Sequence, residues 1–197
     1  MQNVDRTLDY YIVHSERFIA DTQFLDLETL YARFLKYLPP GARILDAGCG
    51  SGRDSKAFKD KGYAVVAVDN APAFVEHTAH YAQVTAYTMN FETLTFAEPF
   101  DGIWACASLL HLPPETLSAV FARLQAVLKP TGFLYASFKK GDFAGYRNGR
   151  WFTDLLIEKL RDLLAQQSSL SVVEHWETPD RRPERAQELW LNVILKP

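Results

Sequence analysis

One segment near the start of the chain limits the possible folds more than any other. Residues 42–58 read A-R-I-L-D-A-G-C-G-S-G-R-D-S-K-A-F. The segment begins with apolar, β-prone residues, continues with glycines that alternate with small residues, and ends with apolar residues at helical spacing. This order predicts a strand, a tight glycine turn and the start of a helix. In open α/β sheets, ligands bind at such a turn, beyond the carboxyl ends of the strands.

The residue types in this turn favour a ligand that carries both a carboxylate and an ammonium group. Glycines let the backbone approach a ligand closely and adopt positive φ at little cost. The first N–H groups of a helix have no partner inside the helix, so they can hold an anion. Asp46, at the end of the strand, places a carboxylate where it can meet a cation or a hydroxyl group.

Two cofactor classes use related glycine turns, and Arg53 separates them. Dinucleotide-binding folds use G-x-G-x-x-G, in which the third glycine allows tight packing of helix on strand. Here the bulky, charged Arg53 takes that position, which disfavours NAD. An ordinary βα turn without a ligand is the alternative. The block L-D-A-G-C-G-S-G resembles motif I of the class I methyltransferases that use S-adenosylmethionine.

This resemblance implies a set of residues for S-adenosylmethionine and its product S-adenosylhomocysteine. An acidic residue about 20 positions after the glycine turn hydrogen-bonds ribose hydroxyls in nucleotide-binding folds, and Asp69 matches that position. Asn90 stands where related enzymes commonly carry an acidic or amide residue beside the adenine. The resemblance implies cofactor contacts from Tyr11, Asp46, Ala47, Gly48, Cys49, Gly50, Ser51, Gly52, Arg53, Asp69, Asn70, Asn90, Phe91 and Cys106.

Composition narrows the setting of the protein. The chain has 197 residues, a net charge of −3, 48% hydrophobic and 23% charged residues, which is typical of one globular domain. The charge gives no general attraction to nucleic acid or anionic lipid. No run approaches the length of a membrane span. The two cysteines form no metal-type pair and indicate a reducing compartment, so we expect a cytoplasmic protein without a metal.

The order of predicted elements indicates an α/β fold of three layers. We expect a Rossmann-like, class I methyltransferase fold in which a mostly parallel seven-stranded sheet includes one antiparallel strand and has helices on both faces. Residues 1–197 form one predicted methyltransferase domain. Residues 1–38 would be a helical cover, residues 39–138 the cofactor-binding core, and residues 139–197 a substrate-side loop, a helix and the final strands.

Two tyrosines and one histidine are candidates for direct contact with the reactants. Tyr10 or Tyr11, in the predicted first helix, would close over the sulfonium, because an aromatic face attracts a cation; packing on the sheet is the alternative. His111 follows the fourth predicted strand, where a histidine recurs in many small-molecule methyltransferases. It would act as a general base or hydrogen-bond its own loop. The Asn/Asp-Pro-Pro-Tyr/Phe sequence of enzymes that methylate DNA bases does not occur there.

Basic residues in two predicted loops point to the methyl acceptor. The loops at residues 139–151 and 178–185 leave the same sheet edge as the glycine turn, and loops on a rigid sheet usually carry substrate contacts. We therefore expect a small anionic acceptor that is bound by Tyr146, Arg147, Arg150, Arg181 and Arg182, since arginine suits planar anions. Solvated loops with local Asp–Arg and Glu–Arg pairs are the alternative.

The sequence as a whole predicts direct transfer of a methyl group to a small molecule. In such a reaction the protein mainly holds the two reactants in line and excludes water, which agrees with the lack of a catalytic triad motif. An RNA or protein methyltransferase and a non-catalytic S-adenosylmethionine-binding module stay open as alternatives. Oligomeric state is not predicted.

Overall fold

The structure, a computed structural model, describes residues 2–182, 185 and 187–197. Its helices are α1 (Gln2–Thr22), α2 (Glu28–Leu35), α3 (Arg53–Asp60), α4 (Pro72–Ala82), α5 (Pro114–Ala126) and α6 (Ile157–Gln167), with a short 3₁₀ turn at Leu109–His111. Its strands are β1 (Arg43–Ala47), β2 (Ala64–Asp69), β3 (Thr85–Thr88), β4 (Phe100–Ala105), β5 (Leu128–Lys139), β6 (Ala144–Arg147), β7 (Arg150–Thr153), β8 (Ser171–Pro179) and β9 (Leu189–Lys196).

Seven of these strands form the central sheet, in the order β3-β2-β1-β4-β5-β9-β8. The pairs β3–β2, β2–β1, β1–β4 and β4–β5 are parallel, whereas β9 is antiparallel to both of its neighbours. The predicted seven-stranded sheet with one antiparallel strand is therefore confirmed. The strand order reverses direction between β1 and β4, and a crevice forms at such a reversal.

Helices cover both faces of the sheet because neighbouring residues of a strand point to opposite sides. In β1, Ile44 packs with Phe34 of α2 and Phe58 of α3. The next residue, Leu45, belongs to the opposite core with Phe121 of α5. All five of these residues are fully buried, so the β1 strand joins the two halves of the core.

The segment after β5 differs from its prediction as a flexible loop that runs into a helix at Phe152. Residues 144–153 instead form a hairpin of β6 and β7. The connection is Asn148-Gly149, with φ values of 49° and 82°. Two positive φ values and an Asn-Gly pair are typical of a two-residue type I′ turn, a signal that the interpretation of this segment as a loop missed. The last helix consequently begins at Ile157 rather than near Phe152.

Two simple absences concern the described part of the chain. No helix there combines the length and the apolar character that a bilayer crossing needs. Nor does any group of three or more His, Cys, Asp or Glu side chains within those residues have the arrangement to hold a metal ion.

Candidate active site

A cavity of about 260 Å³ opens at the carboxyl edge of the parallel strands, where the strand order reverses. The site residues that the sequence predicted and that line it are Tyr11, Gly48, Cys49, Gly50, Ser51, Arg53, Asp69, Asn70, Asn90, Phe91, Cys106, His111, Arg150, Arg181 and Arg182. Asp46, Ala47, Gly52, Tyr146 and Arg147 are not part of this lining. The fold therefore brings most of the predicted residues together.

The glycine turn is held in place by its own backbone amides. The amides of Gly48 and Cys49 both donate to the Val68 carbonyl, and the amide of Gly50 donates to Asp69. Gly52 donates in turn to the Cys49 carbonyl. Sequence analysis predicted that the amides of this turn hold a ligand. Among the described contacts only the Ser51 amide has no protein acceptor, so it is the one amide of the turn that is left for a ligand.

Gly48 occupies the tightest point of the turn. Its φ is +91°, and a Cβ built there would lie 2.3 Å from the Cβ of Ser108. Ser108 cannot easily yield, because its hydroxyl donates to the Ala47 carbonyl at 2.6 Å. Only glycine satisfies both the backbone conformation and the available space.

A buried network anchored on Asp54 supports the cavity from below. The carboxylate of Asp54 accepts hydrogen bonds from the Tyr31 hydroxyl at 2.5 Å and from the Trp104 indole N–H at 2.8 Å. Arg53 adds a bidentate pair at 2.6 and 2.9 Å. Burial would raise the pKa of Asp54, but Arg53 and these hydrogen bonds lower it below its ordinary value. The network fixes the Arg53 guanidinium at the cavity wall.

Asp46 lies beneath the turn instead of in the cavity wall. It is 2% exposed and accepts a hydrogen bond from the Ser55 hydroxyl at 2.6 Å. Burial, followed by repulsion from the Asp54 carboxylate, raises the pKa of Asp46 to about 8. The carboxyl group is therefore largely neutral at pH 7. The sequence predicted that Asp46 meets the ammonium group of a ligand. That contact stays a prediction, and the buried position of Asp46 disfavours it.

Asp69 ends β2 and joins two turns at the rim of the cavity. One carboxylate oxygen accepts from the Gly50 amide and the other from the Ala71 amide, each at 3.0 Å. Burial raises the pKa of Asp69 in spite of these bonds. The acid lies where ribose hydroxyls were predicted to bind, and carboxylate oxygens can accept further hydrogen bonds.

Asn90 and Phe91, which were predicted to contact the adenine, both line the cavity. The side-chain oxygen of Asn90 accepts from the amide and the hydroxyl of Thr93, at 2.8 and 2.7 Å. Asn90 lines the cavity, and its amide nitrogen has no acceptor among the described contacts. Phe91 packs close to Gly48 and lines the same wall.

Helix α1 covers the cavity with aromatic side chains. Tyr11 and Phe18 contact each other edge to face, and both contact Phe74 of α4. The helix is fastened to β7 by the Thr7 hydroxyl, which accepts a hydrogen bond from the Trp151 amide at 2.9 Å. We infer that α1 excludes water from the space beneath it.

Tyr11, His111 and Arg150 form a hydrogen-bonded chain at the inner wall. Nε2 of His111 lies 2.8 Å from the Tyr11 hydroxyl, and Nδ1 lies 2.7 Å from the Trp151 carbonyl. Arg150 donates to the Tyr11 oxygen at 3.3 Å. Burial, followed by the charge of Arg150, lowers the pKa of His111 to about 4 against the Trp151 hydrogen bond, which raises it. His111 is therefore neutral at physiological pH.

The arginines predicted to bind the acceptor differ in their partners. Arg147 forms an ion pair with the buried Asp154, and Arg182 forms a bidentate pair with Asp180. Arg181 donates to the Thr29 hydroxyl at 2.7 Å. The local acid–arginine pairs that sequence analysis kept as an alternative thus exist at Arg147 and Arg182. Tyr146 packs against Trp151 and beneath Arg6.

Unlike Arg147 and Arg182, Arg150 has no carboxylate partner within the described residues. Its guanidinium lies over the rings of Tyr10, Tyr11 and Phe152, with carbon-to-centroid distances of 4.6, 5.6 and 5.2 Å. Its Nε is buried without a hydrogen-bond partner. A desolvated guanidinium with an unused donor favours an anionic ligand.

Comparison with known proteins agrees with this geometry. Residues 44–132 match a family described as a methyltransferase domain. The structure of the 1,6-didemethyltoxoflavin-N1-methyltransferase from Burkholderia thailandensis, with bound 1,6-didemethyltoxoflavin and S-adenosylhomocysteine, superimposes with a TM-score of 0.78 at 25% identity. The likeness covers 98% of this chain and 86% of that one. Residues 44–132 of this chain therefore form a methyltransferase domain.

Two further proteins are similar to this chain, one over half of its length and the other in fold alone. A ubiquinone biosynthesis O-methyltransferase of Xanthomonas campestris pv. campestris is 36% identical over 105 residues, which cover 50% of this chain and 43% of that protein. Magnesium protoporphyrin IX methyltransferase from Synechocystis PCC 6803 shares the fold alone, with a TM-score of 0.73 and 18% identity over 95% of this chain and 96% of that one. The chain thus spans less than half the length of the curated relative that it matches.

Several residues of the methyltransferase domain's site escaped sequence analysis. Ser137 of β5 lines the cavity, although an apolar strand gave no reason to assign it to the site. Lys139 also lines it, and sequence analysis had already placed Lys139 in the basic loop that begins there. Asp54 was interpreted as an ordinary helix residue. A usable signal was Trp104 within a buried strand, because a buried indole N–H needs an acceptor and Asp54 supplies it.

Proposed function

We propose that this methyltransferase domain binds S-adenosylmethionine and transfers its methyl group to a small anionic acceptor. The observation that supports binding of S-adenosylmethionine is the position of Asp69. Its carboxylate is fixed by two backbone amides at the rim of the cavity that the glycine turn lines. The S-adenosylhomocysteine bound in the similar Burkholderia thailandensis structure supports the same assignment.

The residues that line the cavity suit the chemical groups of this cofactor. Asp69 would hold the ribose hydroxyls, and Asn90 and Phe91 would hold the adenine. The Ser51 amide and the Arg53 guanidinium would bind the carboxylate of the amino-acid part. Tyr11 would lie near the sulfonium, where an aromatic ring stabilises positive charge. When bound, the cofactor supplies an electrophilic methyl group on a positively charged sulfur.

The remaining contribution of the protein is placement and the exclusion of water. Helix α1 closes the cavity with Tyr11 and Phe18, which keeps the reactants in a dry space where electrostatic interactions are strong. Such an arrangement needs no covalent intermediate on the protein. Alignment of the two reactants supplies most of the rate.

Arg150 supports an anionic acceptor. It lines the main cavity and also a neighbouring cleft of about 760 Å³. Lys139 lines both spaces as well but forms an ion pair with Glu188, whereas Arg150 has no carboxylate partner in the described structure and its Nε is buried without a hydrogen-bond partner. An acceptor with a carboxylate or a similar oxyanion would neutralise this charge.

The alternatives differ in what they require. An RNA or protein methyltransferase would need a broad basic surface, whereas the chain has a net charge of −3. A non-catalytic S-adenosylmethionine-binding module would bind the cofactor without turnover. The two cysteines are free, which supports the reducing cytoplasm as the setting.

Stabilisation by S-adenosylhomocysteine tests the cofactor. A ligand present at about 100 times its dissociation constant adds about 2.7 kcal/mol to the free energy of unfolding, or about 5–10 °C in melting temperature for a chain of this size. We expect this shift with S-adenosylhomocysteine and none with NAD, measured by thermal unfolding. Labelled S-adenosylmethionine and the small-molecule fraction of a cell extract then identify which compound gains the methyl group.

The results separate the candidates. No shift with S-adenosylhomocysteine would refute the proposed cofactor. A shift without any labelled product, either in the small-molecule fraction or in RNA and protein, would favour the binding module. Label in RNA or protein alone would favour the macromolecular acceptor.

Replacement of Arg150 tests the anionic acceptor. Arg150→Gln should raise the concentration of extract needed for half-maximal methylation by at least about tenfold, because the acceptor loses a desolvated ionic contact. The affinity for S-adenosylhomocysteine should stay within about threefold. Arg17→Gln removes the same charge from an exposed position on α1 and should change neither value. Equal behaviour of both variants would refute the role of Arg150.

A further inference from the structure

We propose that Tyr11 and His111 form a proton relay in which Tyr11 takes the proton from the acceptor and His111 takes the proton of Tyr11. The inference rests on the proposed function and adds the class of the acceptor. The atom that receives the methyl group would enter the site as O–H or N–H, close to the anionic group of the same molecule.

Hydrogen bonding fixes the direction of the relay. A backbone carbonyl can only accept, so Nδ1 of His111, which lies 2.7 Å from the Trp151 carbonyl, carries the proton of the neutral ring. Nε2 is then an acceptor, and the Tyr11 hydroxyl donates to it at 2.8 Å. The proton of Tyr11 is therefore already directed at the one free basic atom of His111.

The oxygen of Tyr11 has room for the acceptor. A tyrosine oxygen accepts two hydrogen bonds in addition to donating one, and Arg150 uses one of these positions at 3.3 Å. Tyr11, His111 and Arg150 all line the main cavity. An O–H or N–H of the acceptor can thus donate to the remaining lone pair of Tyr11 from within the cavity.

The three groups come from separate parts of the chain, which argues against a merely local contact. Tyr11 belongs to α1, His111 to the 3₁₀ turn after β4, and Arg150 to β7. All three are half-buried, and hydrogen bonds in a chain strengthen each other where the local dielectric is low. A hydrogen-bonded chain of polar groups in the wall of a cavity is the arrangement that proton transfer requires.

The charges that face the relay set its resting state. Arg150 on β7 opposes a positive charge on His111. The charge and hydrogen bond of Arg150 favour a negative charge on Tyr11, whereas Asp69 on the rim and Tyr10 oppose it more weakly. Burial has the largest effect on both groups: it lowers the pKa of His111 to about 4 and raises the pKa of Tyr11. Both groups are consequently neutral before the acceptor binds. An oxyanion next to Arg150 would offset the charge that now disfavours protonation of His111.

The proton balance of the reaction is then complete. A bond forms between the acceptor atom and the methyl carbon, the carbon–sulfur bond breaks, and the electron pair of that bond stays on sulfur. The acceptor proton moves to the Tyr11 oxygen, while the Tyr11 proton moves to Nε2 of His111. The imidazolium gives this proton to solvent when the product leaves, and Tyr11 and His111 return to their starting states.

The geometry also describes the acceptor. The donor of Arg150 and the oxygen of Tyr11 are 3.3 Å apart, so the oxyanion and the O–H or N–H must be near neighbours on one molecule. An acceptor whose reacting atom has no proton, such as a tertiary amine or a thioether, has no use for the relay.

A pair of histidine variants tests the relay. His111→Gln keeps an acceptor for the Tyr11 hydroxyl but cannot carry the proton away. His77→Gln is the matched control, because His77 bonds Gln23 at 2.9 Å and so fastens the end of α1 to α4 in the same way. Both variants are measured by thermal shift with S-adenosylhomocysteine and by the rate of label transfer from S-adenosylmethionine to the small-molecule fraction of a cell extract, from pH 6 to pH 10.

We expect His111→Gln to bind S-adenosylhomocysteine within about threefold of wild type and to lose about 100-fold in the rate at pH 7. The loss should shrink by about tenfold per pH unit above neutrality, because hydroxide then removes the acceptor proton. His77→Gln should keep the wild-type profile. Tyr11→Phe should reproduce the pH-dependent loss, and nitrogen NMR of labelled wild-type protein should show His111 as the neutral Nδ1–H tautomer from pH 5 to pH 8.

The opposite results are equally clear. A wild-type protein that does not bind S-adenosylhomocysteine refutes the proposed function. A wild-type protein that binds it and methylates, together with a His111→Gln variant whose loss is the same at every pH, overturns the relay alone and leaves His111 as a structural contact.

Discussion

Gly48→Ala is expected to destabilise the fold by about 2–5 kcal/mol and to abolish binding of S-adenosylhomocysteine. A non-glycine residue in a left-handed conformation costs about 1–2 kcal/mol, and the φ of Gly48 is +91°. The new methyl group would also overlap Ser108, with only 2.3 Å between the two Cβ atoms, and overpacking costs about 1–3 kcal/mol. Urea unfolding followed by circular dichroism gives the change in free energy.

Gly62→Ala separates the two causes of this loss. Gly62 has nearly the same φ, +87°, but a Cβ there meets no atom within 4 Å. It should therefore show only the cost of the backbone conformation, about 1–2 kcal/mol, and should bind the ligand normally. If the two variants are equally stable and bind alike, the contact between the turn and Ser108 has no effect on stability or binding.

Asp54→Ala is the second substitution with a large expected effect. Removing one partner of a buried ion pair costs about 3–5 kcal/mol, because the other charge stays buried and unpaired. Here that charge is Arg53, whose side chain is 17% exposed. The variant also leaves the Tyr31 hydroxyl and the Trp104 indole N–H without their acceptor. The free energy of unfolding at pH 7 measures the loss.

The matched control and the pH dependence test the cause. Asp60→Ala removes an exposed carboxylate that pairs with Lys56 in the same helix, and such pairs contribute about 0.3–0.5 kcal/mol. Because the folded-state pKa of Asp54 is lowered, its contribution is present above the unfolded-state pKa of about 3.9 and is lost as the pH falls through the folded value. The difference between wild type and Asp54→Ala should therefore shrink below about pH 4. A difference that stays constant would contradict the ionic origin.

Sequence analysis predicted the fold well where hydrophobic pattern and turn chemistry agree. Apolar runs such as A-V-V-A-V mark strands that are buried on both faces, and the glycine turn fixed the first strand-to-helix connection. The hairpin of β6 and β7 was wrongly interpreted as a loop, because its strands are short and only partly buried. In that segment the Asn-Gly pair was the more informative signal.

The site was predictable in its members but not in its contacts. The glycine turn, Asp69 and His111 line one cavity, as their positions at strand ends suggested. What sequence could not show is which polar groups already have partners inside the protein. Asp46 bonds Ser55, Arg147 bonds Asp154, and Arg150 has no carboxylate partner in the described structure. These outcomes depend on side chains that meet only through the tertiary fold.

The roof of the cavity has a consequence for biosynthesis. Helix α1 leaves the ribosome early, yet its anchoring partners, His111 and the Trp151 amide, lie 100 residues after Tyr11 and 144 residues after Thr7. Since chains are made from the amino terminus, a nascent chain that has not reached β7 has a glycine turn without a closed pocket. The pocket can therefore close over the cofactor only after β7 has been made, because the contact between Thr7 and the Trp151 amide holds α1 over the cavity.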